Sequence, residues 1–271
     1  MLAAKLGLSA AGVHKMDLTE QIEKFHTEGS IVLPGVLGAD EIAALKLQLE
    51  SAIAAEAALQ RDTAFADYGM LLAAPIHGGA LLKLAEHEAL FAPVNALLGE
   101  SCIIHVYTSS SLPPNATNYG SRIHHERSDR YPDIADFVGM IILLDDFSEA
   151  NGATWYLPGS HKRRERPDED FFYRNGRRLI AAAGSVYYFD WRLYHAGGEN
   201  KTHFWRHALA MGLTPAYQKQ KIDLPRAIPA EFANEINAFA KQKLGYFSQP
   251  PVSIEEYYKP PHERSYRQPP V

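Results

Sequence analysis

The stretch from Ser101 to Leu213 is a series of short apolar segments separated by turn signals, and this pattern limits the fold more than any other feature. Phe137–Leu144 is a nearly continuous apolar run, typical of a strand buried on both faces. The other predicted strands are 102–107, 154–157, 179–182, 185–189 and 205–213. Short strands punctuated in this way favour a β-sandwich or a barrel.

Helical patterns occupy the chain before this region. Asp17 and Glu20 have the spacing of a capping box, and Leu18, Ile22 and Phe25 follow at helical intervals. The sequence then predicts a short strand over 30–34 and helices over 40–59 and 87–98. We expect these helices to pack against a sheet and to carry no site.

The predicted organisation is one domain over 1–271. It comprises helical support over about 17–99, a β core over about 101–215, and a C-terminal helix with an extended tail over 216–271. Within the last part, the helix is predicted from Pro229 to about Leu244. The proline-rich tail from Gln249 onward is expected to be mostly extended.

Composition narrows the class of protein. The formal net charge of −5 disfavours a nucleic-acid surface, which needs a basic face. Cys102 is the only cysteine, so no intrachain disulfide can form and a reducing compartment is expected. No apolar run reaches the length of a membrane span. We therefore predict a cytoplasmic protein with a small-molecule substrate and without nucleic-acid or membrane partners; the oligomeric state stays open.

His124 and Glu126 are alternate residues of a predicted strand, so their side chains should lie on one face. His195, from a distant strand, would complete a set of two imidazoles and one carboxylate. This set leaves coordination positions open and is typical of non-haem Fe(II) oxygenases. His125 faces the other way, and Asp129 is a rival carboxylate whose spacing from His125 breaks the alternation.

Arg206 lies eleven residues after His195, since 206 − 195 = 11. That distance lets the chain cross a turn and return on a neighbouring strand. A guanidinium there could clamp a carboxylate through two parallel hydrogen bonds. An ordinary solvated arginine is the alternative.

Residues 151–161 read N-G-A-T-W-Y-L-P-G-S-H, and residues 195–202 read H-A-G-G-E-N-K-T. Together with His124-x-Glu126 and Arg206, these blocks resemble the phytanoyl-CoA dioxygenase family of Fe(II)/2-oxoglutarate-dependent oxygenases, from about Leu18 to the C-terminus. One position departs from the family pattern, because Glu126 stands where the family has Asp. Both side chains are hard oxygen donors, and a carboxylate here favours oxygenation over halogenation.

The resemblance implies a mainly β fold with flanking helices, built on a double-stranded β-helix of the jelly-roll, cupin-like type. It implies Fe(II) held by His124, Glu126 and His195. It further implies 2-oxoglutarate as co-substrate with its distal carboxylate on Arg206, and consumption of O2 with release of succinate and CO2.

The expected reaction is hydroxylation of a small polar metabolite or natural-product intermediate. Desaturation, cyclisation and stereoinversion use the same oxidant and remain open. Two alternatives belong to another class: a non-catalytic jelly-roll protein that binds a metal or ligand, and a cupin-like enzyme that does not use O2.

Further candidates lie near these residues. We place His105, Tyr107 and Asn151 near the co-substrate, with a purely structural role in the hairpin as the alternative for Asn151. The candidates for the substrate pocket are Arg122, Asp129, Arg130, Tyr131, Trp191 and Arg192. The charge-dense segment Lys162–Arg178 is interpreted either as a solvated loop or as a mobile lid.

Overall fold

A computed structural model describes residues 17–59, 69–117, 119–126 and 136–263 of the chain. Its strands are β1 (Ser30–Leu33), β2 (Ile103–Ser109), β3 (Val138–Leu143), β4 (Trp155–Tyr156), β5 (Arg177–Arg178), β6 (Val186–Asp190), β7 (His195–Ala196) and β8 (Ala208–Thr214). One antiparallel sheet has the order β1-β6-β3-β8-β2, and a smaller one has the order β5-β4-β7.

The helices are α1 (Leu18–Glu28), α2 (Ala39–Glu56), α3 (Gly79–Lys83), α4 (Glu88–Leu98), α5 (Glu169–Asn175), α6 (Leu224–Ala227), α7 (Ala230–Ala233), α8 (Ala238–Lys243) and α9 (Ile254–Tyr257). Turns of 3₁₀-helix lie at 74–77, 84–86, 119–121, 160–162, 246–248 and 261–263. In the described ranges, no helix has the length and apolar composition that crossing a membrane requires.

Alternate residues of the central strands enter two different cores. On β3, Val138, Met140 and Ile142 join the apolar core that the larger sheet shares with the helices. Ile141 and Leu143, between them, belong to a second core that reaches the smaller sheet. Both faces of β3 are therefore buried, which explains its continuous apolar run. The two facing sheets with outer helices form the predicted jelly-roll type of fold.

Two glycines that pair across β3 and β8 make room for aromatic rings in the second core. A Cβ on Gly139 would lie 2.3 Å from Cζ of Phe189, and a Cβ on Gly212 would lie 2.0 Å from Cζ2 of Trp191. Both distances are far below van der Waals contact. Any side chain at either position would displace a ring, so the glycines set where Phe189 and Trp191 can pack.

The N-terminal helices follow the sequence pattern. The Asp17 carboxylate accepts a hydrogen bond from the Glu20 N–H at 2.9 Å, and the Glu20 carboxylate accepts one from the Asp17 N–H at 3.2 Å. Gly29 ends α1 in the left-handed conformation, with φ of 82°. The predicted capping box and stop are confirmed, as are a helix ending at Gly99 and the short strand β1.

The prediction of one helix from Pro229 to Leu244 is wrong. Two short helices, α7 and α8, occupy this stretch, and the Asn237 side chain begins the second by accepting a hydrogen bond from the Ala240 N–H at 2.8 Å. An asparagine that caps a new helix start interrupts a continuous one. The described part of the tail after Gln249, which ends at Glu263, is also not mostly extended, because it contains α9 and a further helical turn.

The predicted strand over 179–182 is displaced. The residues that pair with β4 are Arg177 and Arg178. Leu179 is buried in the second core, and Ala181 makes only an isolated bridge with Phe147. The apolar side chains that suggested a strand are thus used for packing beside the sheet edge.

Candidate active site

His124 and His195 lie side by side on adjacent backbones. The His124 N–H donates to the carbonyl of His195 at 3.0 Å, and the His195 N–H donates to the carbonyl of His124 at 2.8 Å. The predicted strand around His124 is reduced to this isolated bridge. The pairing nevertheless brings the two rings together, with their centroids 4.3 Å apart.

Both imidazoles are held in one tautomer by backbone carbonyls. Nδ1 of His124 lies 2.6 Å from the Arg122 oxygen, and Nδ1 of His195 lies 3.0 Å from the Leu193 oxygen. A carbonyl only accepts, so each Nδ1 carries a proton, and each Nε2 is the nitrogen that can bind a metal ion once it is deprotonated. These hydrogen bonds orient the rings as outer partners do around histidine ligands of metals.

Glu126 completes the cluster. Its N–H donates to the carbonyl of Trp191 at 2.9 Å, which turns the side chain toward the histidines. Its Oε1 lies 3.4 Å from Nε2 of His124 and 3.5 Å from Nε2 of His195. One donor atom of each residue lies within 4.8 Å of the others. Two imidazole nitrogens and a carboxylate oxygen fit a divalent iron ion with positions left for ligands.

The charges of the cluster suit a cation. Burial disfavours the charged forms of Glu126 and His124, but hydrogen bonds between Glu126 and the two histidines outweigh the effect of burial. They lower the pKa of the Glu126 carboxyl well below its usual range and raise the pKa of His124. Glu126 therefore stays an anion at neutral pH, as a metal-binding carboxylate must.

Arg206 enters the same cavity as a buried cation. Its side chain donates to the carbonyls of Gly152 at 2.7 Å and Ser110 at 3.0 Å, and its guanidinium lies 4.2 Å from the centre of the Phe147 ring. The residue is only 3% exposed, and Nε has no hydrogen-bond partner within the described structure. Both carbonyl partners are neutral, so the guanidinium can take an anion as its charged partner.

Burial disfavours the charged form of Arg206 when no anion is bound beside it. Burial lowers the pKa of Arg206 to about 9, and the nearby carboxylate of Asp145 only partly opposes this. Asp145 itself is paired with Lys46 and accepts the N–H of His207. An anionic ligand would supply the compensation that the protein lacks.

The metal cluster and Arg206 line one cavity of about 130 Å³ between the sheets. Its walls combine apolar side chains with a few hydroxyls, the pattern of small-molecule sites. The lining residues that the sequence reasoning did not single out include Val106, Thr108, Ser110, Thr154, Phe189, Gly212 and Lys221. Only the alternation of Val106, Thr108 and Ser110 along β2 could have identified some of them.

Tyr107 does not line this cavity, and the prediction that placed it there is wrong. Its ring is fully buried among the helices, and its hydroxyl donates to the carbonyl of Leu81 at 2.9 Å. The strand shifts register between Ile104 and Val106, so Val106 and Thr108 take the cavity-facing positions. His105 lies beside Trp191, at the edge of the cavity wall.

Asn151 is a hairpin residue, so its placement at the co-substrate is corrected. Its side chain accepts the Ser148 N–H at 2.8 Å and donates to the carbonyl of Asp146 at 2.6 Å. Asn200 likewise supports a turn, because its amide donates to the carbonyls of Pro113 and Phe204. Both side-chain amides are therefore hydrogen-bonded to backbone groups of turns.

The predicted substrate residues divide into three groups. Trp191 lines the cavity. Arg192 instead forms a two-pronged ion pair with Asp190, at 2.9 and 2.7 Å, and Arg122 lines a separate surface depression. Neither arginine lines the cavity that holds the metal cluster, and Arg122 meets the cluster only through its backbone carbonyl, which accepts from Nδ1 of His124. Asp129, Arg130 and Tyr131 lie outside the described residues.

The segment Lys162–Arg178 is not an unstructured solvated loop, and the alternative, a mobile lid, stays a prediction. It contains α5 and β5, and β5 pairs with β4. Phe172 on α5 is 0% exposed and packs with Leu157 and Tyr194. The charges lie on the outer face of a packed element, and the sequence pattern showed only that face.

Replacing Phe172 with alanine is expected to destabilise the fold by about 3–5 kcal/mol, because the substitution leaves a cavity in a filled cluster. Phe171→Ala, at the partly exposed neighbour, is the matched control and should cost less than half as much. Urea unfolding of both variants measures the difference. Equal midpoints for Phe172→Ala and the wild-type protein would mean that α5 is not packed as described.

A family model, phytanoyl-CoA dioxygenase (PhyH), matches residues 25–208. The chain belongs to the phytanoyl-CoA dioxygenase family. It is thus an oxidoreductase of the iron- and 2-oxoglutarate-dependent dioxygenase class, which confirms the class and the cofactors expected from the sequence.

Several relatives cover most of the chain. An uncharacterized protein of Mycobacterium tuberculosis is 29% identical over 247 residues, covering 88% of this chain and 90% of the relative. The ectoine dioxygenase of Stutzerimonas stutzeri is 25% identical over 226 residues, covering 68% of this chain and 72% of the relative.

Solved structures share the fold. The epimerase SnoN, in complex with Fe3+, alpha ketoglutarate and nogalamycin RO, matches with a TM-score of 0.62 at 18% identity, over 79% of this chain and 90% of SnoN. HygX from Streptomyces hygroscopicus, with nickel and 2-oxoglutarate bound, matches with a TM-score of 0.58 at 18% identity, over 74% of this chain and 88% of HygX.

Proposed function

We propose that this dioxygenase hydroxylates a small polar metabolite or natural-product intermediate, with Fe(II) on His124, Glu126 and His195 and 2-oxoglutarate on Arg206. One observation carries the proposal. Two histidines whose Nδ1 atoms are held by backbone carbonyls turn Nε2 toward the same carboxylate, in a cavity shared with a buried arginine whose hydrogen-bond partners are neutral carbonyls.

Bound Fe(II), with 2-oxoglutarate and O2, supplies the oxidation of a substrate C–H bond with release of succinate and CO2. The protein contributes binding and orientation. His124, Glu126 and His195 would hold the ion, and the cavity beside them would take its remaining ligands.

Charge balance supports the assignment of both ends of the site. Glu126 contributes one negative charge to a divalent ion, and Arg206 contributes one positive charge. A dicarboxylate co-substrate bound between them would bring the whole assembly to neutrality, which favours its burial.

The walls of the cavity keep water away from the reacting atoms. Phe189 packs at 5.1 Å against the His195 ring, and Trp191 lies next to Glu126 through the backbone hydrogen bond. Ile141 and Val106 extend the apolar surface. A dry site protects an oxidising reaction from side reactions with solvent.

Succinate release tests the proposal. Purified protein with Fe(II), 2-oxoglutarate and a panel of polar metabolites should release succinate above background with at least one compound, and mass spectrometry should show a product heavier by one oxygen atom. His195→Ala should remove the activity. Succinate release without an oxygenated product would favour desaturation, cyclisation or stereoinversion, and its absence throughout would contradict a dioxygenase of small metabolites.

A further inference from the structure

Lys221 lines the cavity that holds the metal cluster, although it follows the last strand of the larger sheet by several residues. Among the described residues it forms no ion pair with a carboxylate. Arg206, the other cation lining this cavity, donates to two carbonyls, whereas Lys221 is exposed and its ammonium forms no hydrogen bond with a described residue. A cation facing a ligand cavity without an acidic partner is suited to an anionic group of the ligand.

The backbone around Lys221 is fixed to strand β2. The Lys221 N–H donates to the carbonyl of His105 at 3.0 Å. The Gln220 amide donates to the carbonyls of Ile104 at 2.6 Å and Leu244 at 3.0 Å. These bonds hold the segment against the beginning of β2, so Lys221 stays at one end of the cavity even though its side chain is long and flexible.

Lys221 and Arg206 lie at opposite ends. Arg206 donates to the carbonyl of Ser110, just after the end of β2, whereas the Lys221 N–H donates to the carbonyl of His105, five residues earlier. At about 3.3 Å a residue, these anchor points are roughly 16 Å apart along β2.

The metal cluster lies between the two ends. On the side of Arg206, Gly198 follows His195 by three residues, and its N–H donates to the carbonyl of Gly152. The same carbonyl accepts from Arg206. On the other side, Glu126 is bonded to the backbone of Trp191, whose ring packs over Gly212. Gly212 pairs with Val106, next to His105. A molecule reaching from the metal toward Lys221 would therefore not compete with one that reaches toward Arg206.

The surface around Lys221 is apolar and aromatic. The His105 ring meets the rings of Phe137 and Trp191 edge to face, with centroids 5.4 and 5.6 Å away, and Phe137 stacks on Trp191 at 4.5 Å. Burial and the charge of Lys221 lower the pKa of His105, so the imidazole is neutral at pH 7. Lys221 thus supplies the positive charge at this end, which matches a monoanion better than a phosphate dianion.

We propose that Lys221 is a substrate-binding residue, and that the substrate is a small carboxylic acid with an apolar body that packs against Trp191. The inference rests on the proposed function, because it takes the Arg206 end of the cavity to be occupied by 2-oxoglutarate. It defines the substrate class: a carboxylate on Lys221, with the carbon to be oxidised placed toward His124, Glu126 and His195.

Binding of a matched pair of probes tests this without turnover. The protein is loaded with Mn(II) and 2-oxoglutarate, and equilibrium dialysis compares 4-nitrophenylacetic acid with its neutral amide. We expect the acid to bind the wild-type protein about fivefold more tightly, as for a partly exposed ion pair. Lys221→Met should remove the difference, and Lys221→Arg should keep it.

Lys219→Met is the control, since Lys219 has the same charge two residues away but does not line the cavity. It should keep the preference for the acid. Equal binding of acid and amide by the wild-type protein, including no binding of either, would overturn the proposal. So would a preference that survives Lys221→Met or disappears equally in Lys219→Met, or tighter binding of 4-nitrophenyl phosphate than of the acid.

The affinity for 2-oxoglutarate separates this proposal from the function it rests on. It should be unchanged in Lys221→Met, and a weaker affinity would place Lys221 at the co-substrate and contradict its assignment to the substrate. A failure of the proposed function itself would appear elsewhere, as unchanged iron binding in His195→Ala or as a lack of succinate release. Neither of those results depends on the probe pair.

Discussion

Replacing His195 with alanine is expected to abolish stoichiometric Fe(II) binding in an anaerobic titration. The variant loses the nitrogen that faces Glu126 at 3.5 Å and leaves one imidazole and one carboxylate. Two protein donors hold a divalent ion far more weakly than three. Glu126→Ala should likewise lose turnover, whereas Glu126→Asp tests whether the site needs the extra methylene that distinguishes this chain from the family pattern.

His125→Ala is the matched control. His125 is the neighbour of His124, but its ring packs edge to face on Tyr194 at 4.9 Å and points away from the cluster. This variant should bind one equivalent of iron as the wild-type protein does. Asp129→Ala should also retain iron binding, since the carboxylate that meets the histidines is Glu126. Wild-type iron affinity in His195→Ala would remove that residue from the site.

The elements that the sequence predicted well carry a strong local signal. Helix α1 begins at Asp17, whose side chain caps it by a hydrogen bond, and ends at Gly29, which adopts the left-handed backbone conformation. Both signals come from the residues themselves. The apolar run of β3 reflects burial on both faces. The break between α7 and α8 was missed, because Phe232 and Ile236 keep an apolar periodicity across a stretch where Asn237 starts a new helix.

The metal cluster was predictable from residue types and spacing, whereas the lining of the cavity was not. Alternation along β2 leaves open which set of side chains faces the cavity. The register shift after Ile104 places Val106 and Thr108 there, and not Tyr107. Lys221 reaches the cavity because its own N–H and the Gln220 amide bind a strand more than a hundred residues earlier, at His105 and Ile104. Such a tertiary contact leaves no pattern in the local sequence.

Replacing Arg206 with alanine is expected to weaken 2-oxoglutarate binding about thirty- to a hundredfold, which corresponds to a charge-assisted bidentate pair of about 2–3 kcal/mol. The reason is that the buried guanidinium bonds to the neutral carbonyls of Gly152 and Ser110, so a ligand carboxylate would be its charged partner. Titration of the charge-transfer band of the anaerobic Fe(II)–2-oxoglutarate complex measures the affinity. The 2-oxoglutarate affinity of Arg206→Lys should lie between those of the wild-type protein and Arg206→Ala, because lysine keeps the charge and loses the planar guanidinium.

Arg178→Ala is the control for this variant, because it also removes an arginine that donates to a carbonyl of the same hairpin, that of Ala153 at 3.0 Å, and lies over an aromatic ring, that of Trp155. Arg178 does not line the cavity, so its loss should leave the 2-oxoglutarate midpoint in place. Arg206→Ala also removes a donor from the buried carbonyls of Ser110 and Gly152, the second of which keeps the Gly198 N–H, so Fe(II) binding and thermal unfolding are measured in parallel. A folded, iron-binding Arg206→Ala protein with the wild-type midpoint would show that the co-substrate carboxylate is held elsewhere.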